Sequence, residues 1–310
     1  MNMLNLPKKV YFKRGAMNVA LKELHEVYDF KRAFIVSDAN LYTAGAAAPV
    51  IDWLRVRGIR CAEFFTISEV PTVADVLSAQ PKLNEFEPDV IVAVGGGSVI
   101  SAAKAMWIKY ENPDVDLTSL QSKLSGTDTT FPVMGKKAKL AVVPTTFGTG
   151  AQNSPFAVLA DDAGKKFVIA SYALLPEISV TDSIFAESMP ADLIKKSGIA
   201  LISQAIRAYA APGANAYTEG QLAVAVDAVL KNLEAAMNGC VEAMYSLCNA
   251  GSIAGYMVGN AVDTIDPDAE AYPTAKEKGA DDAKIDALAK EIGLADAEAL
   301  IAACEKLAAL

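Results

Sequence analysis

The stretch DVIVAVGGGSVISAAK, residues 89–104, joins an unbroken apolar run to three glycines, a serine and a helical pattern. The apolar run predicts a parallel strand buried on both faces, because its hydrophobic residues do not alternate with polar ones. The glycines carry no Cβ atoms, so the backbone can turn tightly and approach a ligand closely. Ser98 is predicted to be the N-cap of the next helix, whose free N–H groups and dipole suit a pyrophosphate. The stretch therefore predicts a phosphate-binding turn, with a plain strand-to-helix turn as the alternative.

The composition is that of a globular protein with 310 residues, enough for one large or two medium domains. Hydrophobic residues make up 52% of the chain, but no window of the sequence approaches a membrane-spanning helix. The net charge of −9 argues against a nucleic-acid partner, because such proteins need basic stripes to displace counterions. We therefore expect neither a membrane nor a nucleic acid as a partner.

The four cysteines, Cys61, Cys240, Cys248 and Cys304, show neither CxxC spacing nor a dense disulfide framework. The beginning of the sequence, MNMLNLPKKVYFKRG, lacks the apolar core of a signal peptide. Both features predict a protein of the reducing cytoplasm.

Strands and helices alternate through the first half of the sequence. Besides the central strand, strands are predicted at residues 10–13, 32–37, 61–67 and 140–143. Helices are predicted at residues 16–28, after Asp38 with apolar positions Val50, Trp53, Leu54 and Val56, and from Pro71 onward with Val73, Val76 and Leu77. This alternation is typical of a doubly wound α/β fold with a parallel sheet.

A second candidate ligand loop, PTTFGTG, covers residues 144–150 after a predicted strand. The hydroxyl groups of Thr145, Thr146 and Thr149 lie among turn-forming glycines, so the loop could hold a sugar or a base edge through side chains and backbone together. A turn without a ligand is the alternative.

The pattern changes near Pro190. Residues 156–182 have strand character, with a hairpin-like turn at residues 161–164. Long alanine-rich helical segments follow at residues 191–209, 218–237 and 241–262, and two shorter ones at 281–292 and 296–307 come after an acidic break at 263–273. The sequence thus predicts an α/β domain followed by an all-helical one.

The two loops, with segments such as KRAFIVSDANLY, AAKAMW and SYALLPEISVTD, resemble the iron-containing, group III alcohol dehydrogenases. The similarity is strongest to the alcohol dehydrogenase half of bifunctional aldehyde-alcohol dehydrogenases, and it extends from LPKKVYFKRG to GYMVGNA. The resemblance implies the dehydroquinate synthase-like fold of this family, with a Rossmann-like dinucleotide-binding domain at residues 1–185. A helical domain, truncated relative to the family, is expected at residues 186–310.

The resemblance also implies which residues contact a nicotinamide dinucleotide. Asp38 matches the acidic residue that would bind the adenosine ribose and favour NAD over NADP, or it caps a turn. Lys166 matches a basic residue that could face the cofactor, with a solvated strand lysine as the alternative. The implied cofactor contacts are Asp38, Gly95, Gly96, Gly97, Ser98, Thr145, Thr146, Thr149 and Lys166.

The metal ligands of the family have no counterparts in this sequence. The family binds its metal through a DxxxH motif and later histidines, but Ala200 and Gln204 stand at the DxxxH positions, and neither is a good ligand. The one histidine of the chain, His25, is interpreted as a surface residue of the first helix, and the acidic break as a solvated loop. Ser101, Gln152 and Arg207 also replace carboxylates of the family. We expect no iron or zinc and assign no catalytic residue.

Two hypotheses remain from these observations. The first is a pseudoenzyme that keeps the scaffold and the NAD site and serves as a binding or assembly partner, as a homo-oligomer or beside a complete homologue. The second is an active NAD-dependent alcohol dehydrogenase with an unrecognised or weak catalytic site. The residues favour the first, because the metal is the Lewis acid that stabilises the alkoxide in this family.

Overall fold

The central strand lies in the middle of a six-stranded sheet in which all strand pairs are parallel. The computed structural model describes residues 4–125, 130–273 and 283–310. The strands of this sheet are β1 (Lys9–Phe12), β2 (Arg32–Val36), β3 (Arg60–Phe64), β4 (Val90–Gly95), β5 (Lys139–Pro144) and β8 (Ile178–Thr181). Their order in the sheet is β1-β8-β5-β4-β2-β3. All six residues of β4 are buried, which confirms the prediction of a strand covered on both faces.

Helices cover both faces of this sheet. The helices are α1 (Met17–Glu26), α2 (Ala39–Thr43), α3 (Ala48–Val56), α4 (Val73–Phe86) and α5 (Gly97–Glu111). Helices α1 and α3 pack on the face that carries Val90 and Val92, and α4 and α5 pack on the face that carries Ile91 and Ala93. The doubly wound α/β arrangement predicted from the alternation is therefore confirmed.

The chain between β5 and β8 forms an antiparallel hairpin of β6 (Phe156–Ala160) and β7 (Lys166–Ala170). Its turn includes Gly164 with a positive φ of 78° and a hydrogen bond from the Gly164 N–H to the Asp161 carbonyl of 2.9 Å. The hairpin predicted around residues 161–164 is confirmed.

A helical region follows, built from α6 (Ala191–Ala210), α7 (Ala216–Met237), α8 (Val241–Ala261), α9 (Ala283–Glu291) and α10 (Ala297–Ala309). These helices share one apolar core with Phe147 and Phe156 of the first half. The helix predicted at residues 281–292 begins outside the described residues. The domain limits 1–185 and 186–310 stay a prediction. No helix in the described ranges is both long and apolar enough to cross a membrane.

Two local predictions are wrong. Ser98 is not the N-cap of α5; Gly96 takes that position in extended conformation, because the helix already begins at Gly97, the last of the three glycines. The predicted helix after Asp38 is two helices, separated near Gly45, whose φ of 75° interrupts helical geometry. The helix predicted around Val50 and Val56 is present as α3, with Val56 exposed. The helix predicted from Pro71 onward is present as α4, with Leu77 exposed.

Candidate functional site

The turn from β4 into α5 is held in shape by its neighbours. A Cβ atom on Gly95 would lie 2.6 Å from the Cβ atom of Val99, and one on Gly97 would lie 2.7 Å from Oγ1 of Thr149. Such distances are shorter than real side chains allow, so both positions require glycine in this backbone. The close approach of Gly97 to Thr149 means that the two loops predicted separately in the sequence are in contact.

The first turn of α5 offers backbone donors at this place. An α-helix leaves its first N–H groups without intrahelical acceptors, and Gly96 has no side chain that could cap them. The Ser98 hydroxyl donates to the carbonyl of Glu69 at 2.5 Å and so fixes the neighbouring chain instead of capping the helix. The amino end of α5 is therefore chemically suited to bind an anion such as a phosphate.

The second loop begins where β5 ends beside β4. The Thr145 N–H donates to the Gly95 carbonyl at 3.1 Å, and Thr145 itself is buried. Thr146 is half-buried and lies close to Gly96, whereas Thr149 is exposed. The hydroxyl of Thr149 accepts from the Ala151 N–H at 3.3 Å. The structure thus brings residues 95–98 and 145–149 together at the carboxyl ends of adjacent parallel strands.

A row of glycines on α8 holds this loop from the helical side. The carbonyl of Phe147 would lie 2.1 Å from a Cβ atom on Gly251, and the carbonyl of Gly150 would lie 2.2 Å from one on Gly255. Pro155 meets Gly259 in the same way, with its Cδ at 2.3 Å from an added Cβ. The absence of side chains on this helix face lets the loop backbone lie directly on the helix. Their regular spacing of four residues in GSIAGYMVG is the signal that the sequence interpretation did not use.

Two amide side chains add to this attachment. The Asn153 amide donates to the carbonyl and hydroxyl oxygens of Ser252 on α8, at 3.0 and 2.7 Å. The Gln204 amide, on α6, donates to the Gly148 carbonyl at 3.0 Å. The loop is therefore bound to two helices of the helical region as well as to the parallel sheet.

A cleft of about 650 Å³ opens beside the two loops, between the sheet and the helical region. Gly97, Ser98 and Thr149 line one end, α6 lines a second wall with Ala200 and Gln204, and residues 264–271 of the acidic break contribute to a third. The lining is mostly apolar. Its size and position are those of a small-molecule site.

Lys166 also lines this cleft, but the acidic break engages its side chain. The Nζ atom lies 2.7 Å from Oδ1 of Asp268 and 3.3 Å from the carbonyl of Pro267. Lys166 is therefore neither a freely solvated strand lysine nor an unpaired cation, and a cofactor contact by this residue remains a prediction.

Asp38 lies outside the cleft, at the end of β2. Its side chain accepts a hydrogen bond from the Leu41 N–H at 2.9 Å and caps α2. Because β2 pairs with β4, Asp38 lies at the same edge of the sheet as the glycine turn. The capping role is present in the structure, and the ribose contact remains a prediction.

The residues at the family's metal position do not fit a metal. Ala200 presents only a methyl group to the cleft, and the Gln204 amide is directed to the Gly148 carbonyl. His25, half-buried, belongs to α1. Among the described residues, no three His, Cys, Asp or Glu side chains come together in a way that could hold an ion. The donor set thus lacks what iron or zinc requires.

One buried residue beside the loops was not predicted. Lys104 on α5 is fully buried, and its Nζ donates to the carbonyls of Ala151, Ser154 and Phe156 at 2.9, 2.6 and 2.9 Å. Burial lowers the pKa of Lys104 to about 7. A single lysine inside the apolar run AAKAMWI was the available signal.

The chain is similar to known proteins in sequence and in fold. A family model described as iron-containing alcohol dehydrogenase matches residues 7–183. The chain is 37% identical to aldehyde-alcohol dehydrogenase 2 of Entamoeba histolytica, over 81% of this chain and 29% of that protein. It is 36% identical to the bifunctional aldehyde-alcohol dehydrogenase AdhE of Escherichia coli, over 84% of this chain and 30% of that protein. The chain thus spans less than a third of the length of these curated relatives.

Among solved structures, sulfoacetaldehyde reductase from Bifidobacterium kashiwanohense in complex with NAD+ aligns with a TM-score of 0.83. The alignment covers 100% of this chain and 85% of that chain, at 22% identity. At this identity the likeness establishes the fold alone, that is, a parallel α/β domain followed by a helical region.

Proposed function

Because this chain belongs to the iron-containing alcohol dehydrogenase family, we propose that it binds NAD(H) and does not carry out metal-dependent alcohol oxidation. The contact between the glycine turn and the threonine loop, at the amino end of α5, carries the first half of the proposal. The replacement of the metal ligands by Ala200 and Gln204 carries the second half.

The N–H groups of the first turn of α5 would hold the pyrophosphate, because they lack intrahelical acceptors and lie at the positive end of the helix dipole. The hydroxyls of Thr146 and Thr149 would donate to the same ligand, because both residues lie next to the glycine turn at the neighbouring strand end. The second carboxylate oxygen of Asp38 would accept from the adenosine ribose, which favours NAD(H) over the 2′-phosphorylated cofactor. When bound, the nicotinamide ring would supply the hydride chemistry of the family.

Alcohol oxidation also needs a group that stabilises the developing alkoxide. In this family a metal acts as that Lewis acid, and its loss removes several kcal/mol of stabilisation, or roughly a thousandfold in rate. The residues that face the cleft from α6 offer no replacement ligand, and Gln204 is already engaged by Gly148. We therefore propose a pseudoenzyme that retains the cofactor scaffold as a binding or assembly partner, alone or with a complete homologue.

Calorimetric titration of the purified protein with NADH and NADPH tests the cofactor half. We expect saturable NADH binding and weaker NADPH binding. A matched pair of variants provides the control: Gly97→Val places a side chain on Thr149, whereas Gly220→Val lies in α7, where an added Cβ atom meets only Glu291 Oε1, at 3.8 Å. Loss of affinity in the first variant alone supports the site, and equal affinities in both would contradict it.

The metal half is tested by elemental analysis and by alcohol oxidation with and without added Fe²⁺ or Zn²⁺. We expect no bound transition metal and no metal-dependent activity. Stoichiometric metal in the purified protein, with activity lost on chelation and recovered on reconstitution, would instead establish the second hypothesis. That hypothesis is an active alcohol dehydrogenase, favoured by the 37% identity to an aldehyde-alcohol dehydrogenase.

A further inference from the structure

The side-chain amine of Lys104 is buried and forms no ion pair with a carboxylate of the described residues. Its side chain has 0% exposure, and the ion pairs among the described residues do not include it. Burial of a charge is costly unless its hydrogen-bonding capacity is satisfied. A lysine ammonium has three donors, and three backbone carbonyls surround Nζ at 2.6–2.9 Å. The surroundings of Lys104 are therefore built for its three donors.

The three carbonyls belong to the chain that leaves the second ligand loop. All three lie shortly after Thr149: Ala151 begins a 3-10 turn, Ser154 caps its end and Phe156 begins β6. Ala151 takes part in both contacts, because its N–H donates to the Thr149 hydroxyl while its carbonyl accepts from Lys104. A shift of the Lys104 contact would thus be transmitted to Thr149 within two residues.

The same helix touches the loop at a second point. Gly97, at the first turn of α5, lies against the Thr149 side chain, and Lys104 holds Ala151 two turns further along the helix. Helix α5 therefore contacts the loop at two points, Gly97 and Lys104. One rigid element sets the position of both ligand loops.

We propose that Lys104 is a positioning residue of the dinucleotide site, which holds Thr149 against the amino end of α5 by binding the three carbonyls that follow it. This inference rests on the proposed NAD(H) function for its role in affinity. The attachment of the loop itself does not depend on that function.

Protonation of Lys104 affects this attachment. Burial is the one cause that lowers its pKa to about 7, and no charged or titratable side chain among the described residues contributes to the shift. The charged form offers a donor to each carbonyl, whereas the neutral amine has two donors and turns a lone pair toward the third carbonyl oxygen. We therefore expect the loop to be held less firmly as the pH rises from 6 to 9.

The test compares Lys104→Met with Lys109→Met in the full chain. Lys109 is a second lysine of α5 whose Nζ also donates to backbone carbonyls, those of Pro113 and Val115, at the far end of the helix. Amide hydrogen exchange of residues 145–156 is measured without cofactor, and NADH affinity by calorimetry at pH 6 and 9. For Lys104→Met we expect at least tenfold faster exchange in this segment and at least tenfold weaker NADH binding, about 1.4 kcal/mol. Lys109→Met should change neither.

The pH profile distinguishes positioning from a general loss of stability. In the wild-type protein, NADH affinity should fall severalfold between pH 6 and 9, and the protection of residues 145–156 should fall relative to that of β4. A folded Lys104→Met variant should show a flat profile. Unchanged exchange and affinity in that variant would overturn the proposal. If the variant does not fold, a flat wild-type profile for both readouts would overturn it. If the wild-type protein binds no NADH, the proposed function fails, and the exchange data still decide whether Lys104 holds the loop.

Discussion

The glycine row of α8 predicts opposite effects for the same substitution at two helical positions. In Gly255→Ala, the new Cβ atom would lie 2.2 Å from the Gly150 carbonyl oxygen and 2.8 Å from its carbon. Carbon and oxygen atoms need more than 3 Å, so helix and loop must separate by about 1 Å. Because the opposing atoms are backbone, no rotamer change can relieve the contact.

The expected free-energy change follows from two opposing effects. Overpacking of a tight interface costs about 1–3 kcal/mol, whereas replacing glycine by alanine within a helix contributes about 1 kcal/mol of helix propensity. We expect Gly255→Ala to lower the free energy of unfolding by up to about 2 kcal/mol. The control is Gly220→Ala in α7, where the nearest atom to an added Cβ is Glu291 Oε1 at 3.8 Å, so stability should rise by about 0.5–1 kcal/mol.

Urea unfolding measures the free energy of unfolding of each variant, and NADH titration measures its affinity for the cofactor. Since Gly150 adjoins Thr149, displacement of the loop by about 1 Å should also weaken NADH binding about tenfold, or 1.4 kcal/mol. Gly220→Ala should leave the affinity unchanged. Equal stability gains in both variants would refute the claim that the loop backbone lies directly on α8. Loss of stability with unchanged affinity would show that the loop contact does not reach the site.

Three further predictions concern the ion pair of the cleft, the cap of α2 and the buried thiols. A double-mutant cycle on Lys166 and Asp268 should give a coupling free energy of at most about 1 kcal/mol, because the Asp268 carboxylate is largely exposed. The coupling free energy should decrease at high salt, and a salt-independent value would contradict this. Asp38→Asn keeps an acceptor for Leu41 but removes the charge, so NADPH should gain relative to NADH in competitive titration with stability nearly unchanged; an unaltered ratio would exclude Asp38 from cofactor selection. Burial raises the pKa of Cys248 and of Cys304 to about 12, so both thiols should resist a thiol reagent at pH 8. The free energy of unfolding should fall as the pH rises above about 9, where the thiols of the unfolded chain ionise. Rapid labelling of Cys248 or Cys304 in the native protein would refute their burial.

The loop of residues 144–156 connects the two halves of the molecule. Gly95 and Lys104 bind its backbone from the α/β side, and Gln204 and the glycines of α8 contact its backbone from the helical side. The Asn153 side chain of the loop also donates to Ser252 on α8. A cofactor that touches Thr149 would therefore contact a segment attached to both. This attachment connects the walls of the cleft through one segment of the chain.

Local pattern was sufficient for the parallel sheet and for the positions of the two candidate ligand loops. The apolar run at residues 90–94 predicts a strand buried on both faces, and the strand ends within the glycines that follow it. The identities of Ala200 and Gln204 are likewise given by the sequence, and neither side chain is a good metal ligand.

Tertiary contacts determined what the individual residues of these loops do. Gly97 is required by the Thr149 side chain some fifty positions later, and the Ser98 hydroxyl is taken by Glu69 rather than by the helix end. Lys104 is a charged residue in an apolar helix, and the structure explains it by three carbonyls of a loop distant in sequence that accept from its Nζ. Periodicity reports which side of an element is buried, but partners distant in sequence are chosen by packing. The sequence alone therefore determined the sheet and the loss of the metal ligands, whereas only the folded chain decided how the two loops are held together.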